Sequence, residues 1–207
     1  VHRVITLSVL VSGSGTTLQN LFDLIDAGEL DAKVARVIGS RAGLGAALRA
    51  DAKRVRYDVA DRKLLGSTEA QSARVFEWCD EVKADLVVCA GWLSLLRVPE
   101  RYVNRVMNVH PALLPAFGGK GMYGRHVHEA VIQHGCKVSG CTVHLVDDQY
   151  DHGPIVLQRP CPVLDDDTPD TLAARVQAEE RIALPEAIRA FAAGKLQIDG
   201  RHVRLRA

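Results

Sequence analysis

Asn108 and His110 stand two apart at the end of an apolar run, Val103 to Val109, that reads as a β-strand. Side chains two apart on a strand share a face. The carboxamide and the imidazole can therefore meet one substrate atom at the carboxyl edge of a sheet, where open α/β folds bind their ligands. A carboxamide donates hydrogen bonds to an oxygen that is gaining charge, and an imidazole moves protons near neutral pH. Pro111 follows at once, with Leu113-Leu114-Pro115 beyond it, so the histidine is restrained. The competing reading of an isolated Asn-x-His is a buried pair that satisfies backbone groups.

A second candidate site lies near the start of the chain. The apolar run Val4 to Val11 breaks at Ser12-Gly13-Ser14-Gly15, and Leu18, Leu21, Phe22 and Ile25 then recur at helical spacing until Gly28. Where glycines lead a strand into a helix, backbone N–H groups and the helix N-terminus converge on a partial positive charge that suits a phosphate. Position 18 is Leu18, where a dinucleotide fingerprint needs a third glycine, and no Walker lysine follows. One phosphate is favoured over a dinucleotide. Ser40-Arg41 supports a rival, since an arginine there could hold the 2′-phosphate of NADP.

These sites need elements to carry them, and the chain alternates strand with helix. Val34 to Ile38, Val55 to Asp58, the continuous apolar run Leu86 to Ala90, and Val103 to Val109 read as further strands. Ala70 to Val82 is helix-like, and a short helix is expected near Pro99 to Tyr102. After Cys141 the pattern changes: Thr142 to Val146 and Ile155 to Arg159 are strands around a polar turn, fitting an antiparallel edge. Thr168-Pro169 caps a last helix through Leu172 and Val176, which Pro185 should kink or restart and Gly194 should end. The fold class expected is α/β: one Rossmann-like domain over 1–207, its sheet mostly parallel with an antiparallel edge and helices on both faces. Its halves are a phosphate-binding part, about 1–100, and a catalytic part, about 101–207.

Composition excludes several partners. Lys and Arg total 26 against 25 Asp and Glu, so no broad cationic field exists to track nucleic acid. The five cysteines contain no C-x-x-C pair, which signals neither a disulfide framework nor a zinc knuckle and fits a reducing cytoplasm. No run is long enough for a membrane span, and no cleavage site follows the first apolar run. His126-Val127-His128 has the spacing of a metal pair without a cluster to complete it; it reads as solvated loop, and no metal is expected.

The stretch Asn108-Val109-His110-Pro111-Ala112-Leu113-Leu114-Pro115 resembles the signature of the 10-formyltetrahydrofolate-dependent formyltransferases. Asp151-His152-Gly153-Pro154 resembles their catalytic aspartate loop. Ser12 to Gln19 and Gly140 to His144 are similar to the phosphate loop and the strand before the aspartate in the glycinamide ribonucleotide formyltransferases, and the resemblance spans nearly the whole chain. It implies formyl transfer from 10-formyltetrahydrofolate to the amine of glycinamide ribonucleotide, in purine biosynthesis, with Asn108, His110 and Asp151 as catalytic residues and His144 supporting the aspartate. Asn108 and a protonated His110 would stabilise the tetrahedral oxyanion, and the carboxylate with the imidazole would relay the proton. Asp151 would favour the imidazolium. His144, between apolar neighbours, reads equally as a core histidine.

By matched position, Gly15, Thr16 and Thr17 would hold the substrate phosphate, and Gln177 and Glu180 the ribose hydroxyls. The folate would lie against Leu93, Ser94, Leu95, Leu96 and Asn108 and the loop Asp147, Asp148, Gln149, Tyr150 and Asp151. Thr68 and Ser94 stand where many members carry arginine, on the side of the folate glutamate. The longer loop Phe117 to Val127 adds Lys120 and Arg125, which are expected to replace those cations.

The alternatives are a methionyl-tRNA formyltransferase, which needs a further RNA-gripping domain, a formyltetrahydrofolate hydrolase, which carries an N-terminal regulatory domain, and a non-catalytic folate or nucleotide binder. The chain's end soon after its last helix is expected to leave no room for the first, the phosphate loop almost at residue 1 makes the second a poor match, and the intact trio of Asn108, His110 and Asp151 argues against the third. A homodimer is compatible with the reading.

Overall fold

The described residues of the computed structural model run from Arg3 to Arg206; Val1 and His2, at the start of the expected first strand, and Ala207 lie outside them. They group into two compact units: one reaches Asn108 and includes Val146–Asp148, and the other comprises Val109–Leu145 and the residues from Gln149 onward.

In the first unit, β1 (Ile5–Val11) is buried along its whole length, as a strand covered on both faces must be. It feeds α1 (Thr16–Asp26), whose Leu18, Leu21 and Phe22 form the buried stripe. β2 (Ala32–Gly39), α2 (Ala46–Ala52), β3 (Tyr57–Val59), α3 (Arg62–Leu65), α4 (Thr68–Glu81), β4 (Leu86–Cys89) and β5 (Val106–His110) complete the alternation. The five strands are parallel in the order β3-β2-β1-β4-β5. The order reverses around β1, and that switch leaves a crevice beyond the carboxyl ends of β1 and β4. Ser67 caps α4 by accepting from the Ala70 N–H at 3.0 Å. Phe76, Leu96, Tyr102 and Val106 belong to one buried core.

The expected strand Val103 to Val109 starts three residues later: a 3-10 turn over Glu100–Tyr102 is followed by Asn104 in the left-handed region (φ 62°), and extended pairing begins at Val106.

In the second unit, β6 (Val138–Leu145) pairs antiparallel with β7 (Ile155–Pro162), the expected antiparallel edge. Gly140 is required there, because a Cβ would fall 2.1 Å from the Arg159 carbonyl oxygen and φ is +155°. α5 (Arg125–Gln133) replaces the expected solvated loop at His126 to His128. α6 (Pro169–Ala192) opens on a capping box of Thr168 and Thr171, with Gly194 (φ 66°) beyond its end, as expected. It passes through Pro185 without a break, contrary to expectation. Ala183, Leu184, Pro185, Ala187 and Ile188 are all buried, and apolar burial offsets the lost N–H bond. A hairpin of β8 (Leu196–Asp199) and β9 (His202–Leu205), absent from the expected elements, adds to β7 through Ile155 and His202.

Candidate functional site

The phosphate turn belongs to the first unit. Gly15, at φ 78°, is the N-cap of α1 and offers no side chain to its free N–H groups, nor does an acidic residue occupy the first turn. A Cβ at Gly15 would lie 2.9 Å from Ala46 Cβ, so only glycine closes this turn. Thr16 is exposed and Thr17 half-buried. Arg49 braces the loop: its Nε donates to the Ser14 carbonyl at 2.8 Å and its Nη1 to Gln19 Oε1 at 2.9 Å. Sequence reasoning missed Arg49, which carries no motif.

Beyond the ends of β1 and β4, the Leu93 N–H donates to Ser12 Oγ at 3.1 Å, and Ser12 N–H to the Gly91 carbonyl at 3.1 Å. Of the expected folate contacts in this unit, Leu93 is 48% exposed, Ser94 and Leu95 are half-buried, and Leu96, 2% exposed, belongs to the core and offers backbone only. Asp147 is half-buried, and Asp148 accepts from Val98 N–H at 3.4 Å. Asp148 also lines a cleft of about 430 Å³ with Glu69, Ser72, Phe76, Arg97 and Arg101.

Asn108 is half-buried and His110 buried on β5, on the face that strand alternation gives them both. His110 belongs to the second unit, with His144 and Asp151. His110 Nδ1 is 3.5 Å from Asp151 Oδ1, and His144 Nε2 is 3.7 Å from the same oxygen. Asp151 Oδ2 accepts from the Gly119 N–H at 2.9 Å. His110 Nε2 donates to the Phe117 carbonyl at 2.8 Å, and His144 Nδ1 donates to the Leu145 carbonyl at 2.9 Å. A carbonyl only accepts, so each ring spends its neutral-state N–H on the backbone and turns a lone pair toward Asp151. One added proton between His110 Nδ1 and the carboxylate satisfies that contact.

Burial is the largest influence on His110 and holds its pKa below the ordinary imidazole value, although Asp151 and the Phe117 carbonyl pull it up. The expected imidazolium is thus favoured by Asp151 and outweighed by burial. For Asp151, burial pushes the pKa up, but the His144 contact, the His110 charge and the Gly119 N–H together hold it below the usual carboxylate value.

Two further features place this cluster. Asp151 itself sits in the left-handed region at φ 52°, and Gly118 packs so closely that a Cβ would be 3.2 Å from Asp151 Cβ. Thr142 Oγ1 donates to the Ala112 carbonyl at 2.6 Å and accepts from Leu114 N–H at 3.0 Å, tying the segment after His110 to β6. Neither Gly118 nor Thr142 was singled out from the sequence. The Gly118-Gly119 pair was the available signal.

Gln177 is exposed and Glu180 half-buried on α6. Burial pushes the Glu180 carboxyl up to about 7. Gln149 and Tyr150 are exposed at the turn before Asp151. Arg125 is committed elsewhere, to Glu129 and Asp170, each at 2.7 Å. That leaves Lys120, which among the described residues has no ion-pair partner, as the loop's other expected cation. His126 is exposed and faces Glu129 at 3.6 Å, whereas His128 is 4% exposed; two apart on a helix, they cannot converge on one ion. Among the described residues no group of three His, Cys, Asp or Glu is placed to hold a metal. Nor is any described helix long and apolar enough to cross a membrane.

Residues 5–188 match the formyl transferase family model. The chain is 30% identical to the phosphoribosylglycinamide formyltransferase of Haemophilus influenzae, over 93% of this chain and 89% of that one. It is 32% identical to the trifunctional purine biosynthetic protein adenosine-3 of Gallus gallus, covering 94% of this chain but only 19% of that longer protein. The crystal structure of glycinamide ribonucleotide transformylase 1 from Symbiobacterium toebii superposes with a TM-score of 0.90 at 42% identity, over 98% of this chain and 94% of that one. The chain belongs to the formyl transferase family, with the phosphoribosylglycinamide formyltransferases.

Proposed function

We propose that the chain transfers the formyl group of 10-formyltetrahydrofolate to the amine of glycinamide ribonucleotide, giving formylglycinamide ribonucleotide and tetrahydrofolate in purine biosynthesis. The observation that carries the reading is the His110–Asp151–His144 constellation, two rings facing one ionised carboxylate.

When the amine attacks the formyl carbon, Asn108 donates to the developing oxyanion. The Asp151 cluster takes a proton from the nitrogen that has become an ammonium and returns it to the departing folate nitrogen. The free N–H groups of α1 at Gly15, Thr16 and Thr17 receive the substrate phosphate. Gln177 and Glu180 receive the ribose hydroxyls. The folate meets backbone groups and half-buried side chains at Leu93 to Leu96 and the turn Asp147 to Asp151. Lys120 serves its glutamate carboxylate, the role that Arg125 gives up to Glu129 and Asp170. Cys79, Cys141 and Cys161 are buried thiols, which suits a reducing compartment, and the cytoplasm is the location that goes with this reading.

The test follows folate deformylation with and without glycinamide ribonucleotide. Dependence on the amine supports the transferase; deformylation that proceeds equally well without it makes the protein a hydrolase.

A further inference from the structure

Asp151 keeps its place against a backbone cost. Its φ of 52° lies in the left-handed region, which glycine takes freely and other residues take only when their surroundings hold them there. The carboxylate is held by the Gly119 N–H at 2.9 Å from Oδ2 and by the His110 and His144 rings at 3.5 and 3.7 Å from Oδ1. The backbone beyond it is held at Pro154, whose carbonyl accepts from the Leu145 N–H at 2.8 Å. Between these two anchors lie His152 and Gly153.

The β8–β9 hairpin reaches into that gap. Arg201 Nη2 donates to the His152 carbonyl at 2.8 Å, and Nη1 stands 3.0 Å from Nε2 and 3.3 Å from Nδ1 of the His152 ring. One guanidinium thus meets both the backbone and the side chain of the residue that follows Asp151. A hydrogen bond from an ionised donor is stronger than a neutral one, and attachment at two points restrains the His152 peptide in orientation as well as position.

The backbone sets Arg201 in this place. Asp199 pairs with His202, which leaves Gly200 and Arg201 as a two-residue hairpin loop, with Gly200 at φ 56° in the first position, as tight hairpin turns require. β9 then pairs with β7 through His202 and Ile155, three residues past His152. The hairpin adds little to the apolar core, its strands being half-buried or exposed throughout. A cation at a fixed place beside the aspartate loop is what it brings to this unit.

On the formyl-transfer reading, on which this rests, we propose that Arg201 is a positioning residue: it holds the His152 peptide so that Asp151 keeps the orientation in which it exchanges a proton with the reacting nitrogens. Its effect on the reaction runs wholly through Asp151.

Steady-state formyl transfer by Arg201→Met, Arg201→Lys, Asp151→Asn and the Asp151→Asn/Arg201→Met double variant tests this, with melting temperatures alongside. Arg201→Met keeps the length of the side chain and loses its donors. Its kcat should fall about tenfold, the scale of a catalytic group displaced by a fraction of an ångström, with KM for both substrates within about twofold of the wild type. Arg201→Lys, which can still donate to the His152 carbonyl, should recover part of the rate. In the Asp151→Asn background Arg201→Met should cost no further rate, because residues that act through one group are not additive. Wild-type kcat in Arg201→Met overturns the proposal, and so does a full second loss on top of Asp151→Asn. An Arg201→Met that loses its fold rather than its rate makes the hairpin a staple for the fold and overturns it as well. Amide hydrogen exchange at His152 and Gly153 reads the brace without any activity: it should quicken in Arg201→Met, and less in Arg201→Lys, while the amides of β6 keep their wild-type rates. Unchanged exchange at both residues overturns the brace. A wild type with no amine-dependent transfer strikes the function reading instead, and the exchange rates still decide whether Arg201 holds the loop.

Discussion

His110 Nδ1 stands 3.5 Å from Asp151 Oδ1 while the other nitrogen of the same ring is held 2.8 Å from the Phe117 carbonyl. The backbone contact fixes the tautomer, so the nitrogen facing the carboxylate is the one free to gain a proton. Removing the carboxylate's charge should therefore remove the reason for a proton to collect there. Asp151→Asn is expected to keep the fold, because asparagine tolerates the left-handed φ of 52° at least as well as aspartate. Turnover should fall by about a hundredfold or more. Circular dichroism with kcat measurement checks both, and near-normal turnover would remove Asp151 from the chemistry.

Gly118→Ala probes the same residue from behind. The new Cβ would lie 2.5 Å from the flexible end of Leu114 and 3.2 Å from Asp151 Cβ. The leucine can turn aside. Asp151 is held by Gly119 N–H at 2.9 Å, so the methyl should displace the carboxylate by a few tenths of an ångström and lower kcat by about tenfold. Melting temperature and both KM values should change little, which separates a misplaced carboxylate from a damaged fold.

Acid should destabilise the protein through its buried imidazoles. His110 and His128 both have folded-state pKa values below 6.5, so the unfolded chain binds the extra protons. Their contribution to stability is complete above pH 6.5 and is lost as pH falls below it. Glu180 acts in the opposite sense over part of this range, so the informative quantity is the difference between wild type and His128→Gln. The drop in melting temperature from pH 7.5 to pH 5.5 is expected to be smaller in the variant. An equal drop would exclude His128 from the effect.

Glu180→Gln should trade binding for stability. Burial raises the carboxyl from 4.5 to about 7, so its contribution is complete below pH 4.5 and is lost as pH rises through 7. The neutral amide escapes that loss. The variant is expected to melt about 3 °C higher at pH 8 and no higher at pH 4.5. KM for glycinamide ribonucleotide should rise about tenfold, the loss of one hydrogen bond to a charged group. Unchanged binding would take Glu180 out of the substrate site.

Much of this arrangement is visible in the amino-acid order because apolar periodicity reports burial directly. The run Leu86 to Ala90 reads as a doubly covered strand, and Asn108 and His110 share a face because side chains alternate along a strand. α5 escaped because its buried face contains His128 beside Val127 and Val131, so a polar residue occupies a position that a pattern reader counts as solvent. The β8–β9 hairpin escaped because neither strand buries a face: its residues are half-buried or exposed throughout. Pro185 misled because the rule against proline inside a helix weighs the lost N–H and not the buried ring. At the site, Asp151 is fixed by Gly118, Gly119 and two distant rings, a three-dimensional agreement that spacing along the chain does not encode.

The turn at Gly15 has its shape before any ligand arrives, because Arg49 already grips Ser14 and Gln19 from α2. A phosphate entering it meets N–H groups that need no ordering, so the conformational entropy usually lost when a flexible loop closes on an anion has been removed during folding. In calorimetric terms, association there should show a small entropic penalty, and Arg49→Ala should enlarge it while leaving every phosphate-facing group in place.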